Sequence, residues 1–181
     1  ILLSLVGSEM CIRDRIEEHF TMIEVKAKTK LLEAGKIERY IYFLEKGVVR
    51  GYQIVEGKLV IGHLVDAGQF FCSIDSFTSE TPSLDCFDTL ADCVVHRISK
   101  SDFEKLRDSS DTWTKLVESI MNEYFNCKLE RTRDFQSLSA KERYLKFIKE
   151  NGNLALNVSI ENIASYLGME PQSLSRIRKQ I

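Results

Sequence analysis

The sequence predicts an α+β protein, in which an antiparallel β-sandwich or barrel precedes a long helix and a helix-turn-helix. Three observations support this prediction. Short apolar runs with glycine-containing turns fill residues 25–99, a helical stretch without proline or glycine runs from residue 111 to about 138, and two short helices with a tight turn end the chain. The 181 residues suit one large domain or two small ones, and 44% apolar and 29% charged residues are typical of globular proteins.

The strand signals lie in the first half of the chain. Apolar segments rich in β-branched and aromatic residues alternate with glycine-containing turns, which recur every 8–12 residues or so. The segments are residues 41–44, 48–49, 52–55, 59–65, 70–71 and 93–98. Gly35 precedes the first of them, and Gly47, Gly57 and Gly68 stand between them; tight turns require a positive φ at all four glycines. This pattern favours an antiparallel sandwich or barrel.

After residue 99 the apolar period becomes helical, with a short helix expected over residues 101–106 and a long one from Asp111. The long helix carries apolar residues in steps of three and four, like a coiled-coil seam: Trp113, Val117, Ile120, Tyr124 and Cys127. About 25 residues of helix span about 38 Å, more than a small β-domain needs for packing. We therefore predict a dimer seam, with packing against the chain's own sandwich as the alternative.

The next segment begins with a capping box, in which Ser139 and Glu142 each accept a hydrogen bond from the other's backbone amide. The buried face of this helix is expected to consist of Tyr144, Leu145 and Ile148. Residues 151–153 end the helix, and residues 154–158 are expected to form a linker or a short strand. The segment therefore leads as a separate helical unit into the C-terminal motif.

The C-terminal motif indicates a helix-turn-helix. Ser159 can cap its first helix, Gly168 stands where a left-handed residue ends that helix, and Pro171 suits the first turn of the second. Ala164 is small where the two backbones approach each other. The remaining core positions are apolar: Ile160, Ile163, Leu167, Met169, Leu174 and Ile177. An ordinary helical hairpin is the alternative interpretation.

The outer face of the second helix predicts DNA binding, because a helix fits the major groove and its polar side chains then reach bases and phosphates. We assign base reading to Gln172, Ser173 and Arg176. We assign phosphate contacts to Ser175, Arg178 and Lys179. From Ser139 to the end the chain has seven basic and four acidic residues, against 18 basic and 23 acidic before it, which favours a polyanion-binding tail. An ordinary solvated face is the alternative.

Four stretches resemble Crp/Fnr-type transcription regulators: YIYFLEKGVVRGY (40–52), GQFF (68–71), SAKERY (139–144) and IASYLGMEPQSLSRIRK (163–179). The resemblance implies a cyclic-nucleotide-binding-like jelly roll (16–110), a long dimerisation helix (111–138) and a winged helix-turn-helix domain (139–181). It also implies a cytoplasmic homodimer that binds an inverted-repeat operator in double-stranded DNA, with RNA polymerase as a further partner.

The sequence departs from that family in the effector pocket. Cyclic-nucleotide-binding members carry a Glu after the glycine turn for the ribose, then an Arg-Ser pair for the phosphate, whereas this chain has Ser73, Ser83 and Leu84 there. Burying a phosphate without a cation is costly, so we expect a degenerate pocket, no cofactor and no cyclic AMP in the usual mode. The pocket then holds another effector or none. The rival interpretation is a sensor for a cyclic nucleotide or other small molecule that acts through protein partners.

Both ends of the chain carry expectations. Residues 8–15, SEMCIRDR, resemble the translation of a sequencing adapter, so residues 1–15 are expected to be non-native. The chain stops at Ile181, one helix after the turn, so the wing is expected to be absent or truncated. Glu170 occupies the N-cap position where such helices usually carry Ser or Thr.

Other chemistries find little support in the sequence, and no nucleophile, P-loop or carboxylate pair indicates an enzyme. The cysteines are scattered and are expected to be reduced core thiols without a metal: Cys11, Cys72, Cys86, Cys93 and Cys127. The three histidines, His19, His63 and His96, are too isolated for a cupin-like metal centre. A haem sensor stays open, although no residue favours it. The longest apolar run, residues 1–6, is too short to cross a membrane.

Overall fold

A computed structural model describes residues 19–109 and 111–181, so the segment expected to be non-native, residues 1–15, lies outside the described residues. The strands are β1 (Thr21–Val25), β2 (Lys30–Leu32), β3 (Tyr40–Lys46), β4 (Val49–Val55), β5 (Lys58–Val65), β6 (Gln69–Phe71), β7 (Cys86–Thr89) and β8 (Cys93–Ser99). The helices are α1 (Ile74–Ser79), α2 (Lys100–Ser109), α3 (Asp111–Ser137), α4 (Ala140–Glu150), α5 (Gly152–Asn157), α6 (Ile160–Tyr166) and α7 (Pro171–Arg178).

The strands form two antiparallel sheets of four, with the orders β1-β8-β3-β6 and β2-β7-β4-β5. Side chains from both sheets meet in one core, where Leu44, Val49, Phe87 and Val95 are fully buried. The predicted antiparallel β core with helices is therefore confirmed. We call the part of the chain that forms the two sheets, residues 21–99, the roll. All four turn glycines have a positive φ, as predicted. The sequence signals missed α1 and the strands β1, β2 and β7, which are too short to show a clear period.

The long helix is present over 27 residues, but it faces the roll. Trp113 is buried with Ile98 and Leu106, and Ile120 packs against the same cluster. Tyr124 stacks on His63 with ring centroids 5.8 Å apart. Three residues of the predicted dimer seam therefore pack against the chain's own roll, which is the alternative that the sequence left open.

The two other positions of the seam differ from each other in burial. Val117 is half-buried and Cys127 is exposed. Among its described side chains, α3 instead leaves three large apolar ones in solvent: Phe125, Leu129 and Phe135, which are 53%, 56% and 40% exposed. Phe125 and Leu129 are four residues apart, so they share one face of the helix. The solvent-facing stripe of α3 is thus displaced around the helix from the predicted seam.

Helices α4–α7 form a second unit, which we call the head. Its capping box is confirmed, since Ser139 N donates to Glu142 Oε2 (2.8 Å) and Glu142 N donates to Ser139 Oγ (3.3 Å). Tyr144 is buried and Ile148 is half-buried, as expected. Leu145 is 39% exposed, however, and Phe147 takes its place in the core at 3%. Residues 152–157 form α5 rather than a linker or strand, because Leu154 joins the buried cluster of the head.

The core of the head is continuous with one face of the roll. Ile163, Ala164 and Leu174 are almost completely buried, and Leu167 is 7% exposed. Val48, Ile61 and Leu64 of the roll belong to the same cluster. The head therefore packs against the β4–β5 side of the roll, which positions α7 relative to the rest of the chain.

Candidate nucleic-acid interface and effector pocket

The turn between α6 and α7 has the predicted local chemistry. Ser159 Oγ accepts from Asn162 N (3.3 Å) and caps α6, and Pro171 stands in the first turn of α7. Gly168 has a φ of +63°, and a Cβ there would lie 2.5 Å from the Phe135 ring. Glu170 occupies the N-cap of α7 without a side-chain capping bond. These features fix the crossing of the two helices.

Helix α7 has a buried side and an open side. Leu174 is fully buried and Ile177 packs against the same core. The predicted base-reading and phosphate-contacting side chains lie on the open side: Gln172, Arg176, Arg178 and Lys179 are exposed, and Ser173 and Ser175 are half-buried. Arg176 Nη2 lies 3.4 Å from Ser173 Oγ. Within the described residues, no carboxylate forms an ion pair with the three cations of α7.

The structure brings Ser73 and Ser83 together in the predicted pocket. Each is 3% exposed, and Ser83 Oγ donates to Ser73 Oγ (2.9 Å). Ser73 Oγ in turn donates to Asp85 Oδ2 (3.0 Å), and Gln53 Nε2 donates to Asp85 Oδ1 (2.8 Å). The third predicted position, Leu84, is 76% exposed and is no part of this network. We call Gln53, Ser73, Ser83 and Asp85 the cradle. Their polar groups satisfy one another's hydrogen bonds around the Asp85 carboxylate.

Helix α3 closes this region from the other side. Lys128 Nζ donates to His63 Nε2 (2.9 Å), while Tyr124 covers the same imidazole ring. Burial, together with the Lys128 charge, lowers the pKa of His63 to about 3. Burial also lowers the pKa of Lys128. The neutral imidazole therefore accepts a hydrogen bond from the Lys128 ammonium, and this pair joins α3 to β5.

A buried glutamate next to the cradle was missed by the sequence analysis. Glu38 is 1% exposed, and its carboxylate accepts hydrogen bonds from Tyr40 N (3.2 Å) and Ser73 N (3.4 Å). Burial raises its pKa to about 7, partly offset by those backbone donors. An acid in a charged turn sequence (Lys36–Arg39) gives no sign of burial.

The histidines and cysteines lie apart from one another. His96 Nε2 contacts Glu45 Oε2 (2.7 Å), and His63 is engaged with Lys128. The described part of the chain holds no group of three or more potential metal ligands, and Cys72, Cys86 and Cys93 are free thiols there. Cys11 lies outside it. Across the described ranges, no helix is long and apolar enough to cross a membrane.

Comparisons with known proteins agree with this geometry. Residues 22–110 match the family model of the cyclic nucleotide-binding domain. FixK2 from Bradyrhizobium japonicum is similar in structure, with a TM-score of 0.77, 20% identity, and 89% of this chain and 83% of that chain covered. The c-di-GMP-responsive global regulator CLP from Xanthomonas campestris has a TM-score of 0.72 at 14% identity, with coverages of 95% and 91%.

A protein described as a transcriptional regulator of the Crp/Fnr family, from Eubacterium rectale, has a TM-score of 0.71 at 13% identity and covers 95% of this chain and 82% of its own. No curated protein sequence matches the chain significantly. At these identities the structural likeness concerns the fold. The chain shares its fold with these proteins over 89% to 95% of its length.

Proposed function

We propose that this chain, whose residues 22–110 form a cyclic nucleotide-binding domain, is a sequence-specific DNA-binding transcription regulator of the Crp/Fnr type. It binds an inverted-repeat operator as a homodimer, works in the cytoplasm and catalyses no reaction. The observation that carries the proposal is the open side of α7 with its C-cap Lys179, where three cations that pair with no carboxylate of the described residues flank polar side chains on a firmly packed helix. DNA offers phosphates as partners for these cations and base edges as partners for the polar side chains.

The roles on α7 follow from the chemistry of each side chain. Gln172 has an amide that can pair with adenine, and Arg176 has a planar fork that matches guanine. Ser173 can donate or accept. Ser175, Arg178 and Lys179 serve the phosphates, which hold the register without reading sequence.

The dimer contact belongs to the exposed stripe of α3. Phe125 and Leu129 are apolar and more than half exposed, whereas the seam predicted from the sequence is largely occupied by the roll. Pairing of this stripe with a second copy removes apolar surface from water. It also allows two α7 helices to lie one duplex turn apart, about 34 Å, as an inverted repeat requires. RNA polymerase is the further partner that such a regulator contacts when it activates.

The experiment that tests the proposal is selection of genomic DNA fragments by the purified, folded dimer at low ionic strength. The expected result is enrichment of an inverted-repeat motif that binds about a thousandfold or more better than random competitor, the lower end of the range usual for specific recognition. Equal binding to every duplex, or no binding, contradicts the proposal. The same preparation analysed by light scattering reports whether the binding species is a dimer.

A second candidate function is a nucleotide sensor that acts through protein partners, and the domain match favours it. Calorimetry with cyclic AMP, cyclic GMP and cyclic di-GMP separates the two. We expect no binding, because the carboxylate of Asp85 lies in the cradle. In addition, Ser83 stands where cyclic-nucleotide-binding members of the family carry the arginine that holds the phosphate. Micromolar binding of any of the three overturns the interpretation of Ser73 and Ser83 as a degenerate cradle.

A further inference from the structure

Strand β5 has an irregular outer edge. It is the last strand of its sheet, so one side of its backbone has no strand partner in the part of the chain that the structure describes. Its pairing with β4 also shifts register, since Gly51 pairs with His63 while Tyr52 pairs with Ile61, and Gly62 is left over as a bulge. Backbone groups around residue 61 therefore need partners from outside the sheet.

The head supplies one set of partners through Ser165 of α6. Ser165 Oγ accepts from Ile61 N (3.0 Å) and donates to Leu59 O (3.2 Å). One small hydroxyl thus satisfies a donor and an acceptor of the β5 edge. This seats the first helix of the helix-turn-helix directly on the roll.

The long helix supplies the other set through Arg131. Its guanidinium donates to Gly62 O (2.6 Å) and Ile61 O (3.1 Å) at the bulge, and to Tyr166 O (2.8 Å) at the end of α6. The same guanidinium stacks over the Tyr166 ring at 4.3 Å. The Arg131 side chain therefore contacts both the roll and the head. It also belongs to α3, the helix that carries the proposed dimer contact. Only a planar fork with several donors can make these contacts together.

We infer that Arg131 is a positioning residue that fixes the head on the roll and thereby sets the spacing of the two α7 helices in the dimer; this rests on the proposed function. Residues 59–62 with Ser165 and Arg131 form what we call the β5 joint. Lys128 and His63 continue the same contact between α3 and β5. The joint consists of the chain's own side chains, and so it holds the head without an effector.

The experiment compares the wild type with Arg131→Ala on a series of operators whose half-sites are moved apart by a few base pairs. The wild type should prefer one spacing by about tenfold or more, since a fixed pair of heads fits only one separation. Arg131→Ala should lower that preference to within about threefold, while its affinity for a single half-site stays within about twofold of the wild type. Unchanged spacing preference in a folded Arg131→Ala dimer overturns the inference.

Two further variants guard against a general loss of structure. Arg133→Ala, an exposed arginine on the same helix, should keep the wild-type spacing preference. Ser165→Ala removes the other arm of the joint with little change in volume, and should loosen the spacing preference in the same direction as Arg131→Ala. If Arg131→Ala does not fold, Ser165→Ala decides: an unchanged spacing preference in that variant overturns the inference.

Amide hydrogen exchange without DNA keeps the inference separate from the proposed function. The joint predicts that Ile61 N exchanges at least about tenfold faster in Ser165→Ala, with core strand β8 unchanged. That result together with no operator for the wild type would refute DNA recognition but leave the joint standing. Equal exchange at Ile61 in both proteins would refute the joint even if an operator is found.

Discussion

The cradle of the roll and the open side of α7 treat polar groups in opposite ways. In the cradle, Ser73, Ser83 and Asp85 are buried or half-buried and bonded to one another. On α7, Arg178 and Lys179 stand in solvent beyond a helix whose other side is fully packed. Buried polar groups must form their hydrogen bonds within the fold, whereas exposed cations are hydrated by solvent and are accessible to a binding partner. The difference indicates that the partner-binding capacity of this chain lies in its head.

The largest test of this contrast is Leu174→Ala, because the open side of α7 depends on its packed side. Leu174 is 0% exposed at the centre of the head, so truncation should destabilise the protein by about 2–5 kcal/mol. Chemical denaturation measures the change. Leu156→Ala, at a site 87% exposed, should alter stability by no more than about 0.5 kcal/mol. Similar losses in both variants would mean that the head is not packed as described.

Arg176→Ala tests the reading role of the open side. The variant should lose about 1–3 kcal/mol on the selected operator and relax the preference at one base pair, because the fork that matches guanine is gone. Titration of operator and mutated operators by fluorescence anisotropy measures this. An equal loss on operator and random DNA would remove Arg176 from base reading.

Glu38→Gln tests the inward-facing polar groups of the roll. In the folded protein the pKa of Glu38 is about 7, against an ordinary value of 4.5. The protonated side chain therefore stabilises the fold at low pH, and this contribution is lost as the pH rises through about 7. The stability of Glu38→Gln relative to wild type should therefore rise by about 2 kcal/mol between pH 5 and pH 8. Denaturation of both proteins at both pH values measures this difference in stability. His63 contributes with the opposite pH dependence, but equally in both proteins, so its contribution cancels. Glu24→Gln, an exposed glutamate on β1, should show no such rise.

Gly168→Ala tests the turn that aims α7. A side chain there combines a φ of +63° with a clash against Phe135, so we expect a loss of about 1–2 kcal/mol. A double-mutant cycle with Phe135→Ala separates the two causes. The clash predicts that the double variant is more stable than the sum of the single effects. Additive effects would assign the whole loss to backbone strain.

Lys179→Ala should have the smallest effect and a different character. A phosphate contact is independent of sequence, so the variant should weaken all duplexes alike and reduce the slope of affinity against salt by about one counterion. Affinities measured over a range of salt concentrations give the slope. A change confined to the operator would move Lys179 from phosphate contact to base reading.

Short-range signals in the sequence predicted much of the local structure. The capping box at Ser139, the cap at Ser159, the left-handed Gly168 and the Pro171 start all occur where expected, because each depends on a few neighbouring residues. The two serines of the cradle were also found by counting from Gly68. Leu145 shows the limit of such reasoning, since a helical period allows more than one buried face.

By itself the sequence determined the long helix, the caps and turns of the head, and the chemical character of the surface of α7, since all of these are set locally. Only the tertiary structure decided that Tyr124 turns toward His63, that Glu38 is buried and that Arg131 ties the head to β5. These contacts join residues far apart in the chain. Their outcome depends on which surfaces lose water together and on which strand edge is left unpaired, and no single segment encodes that.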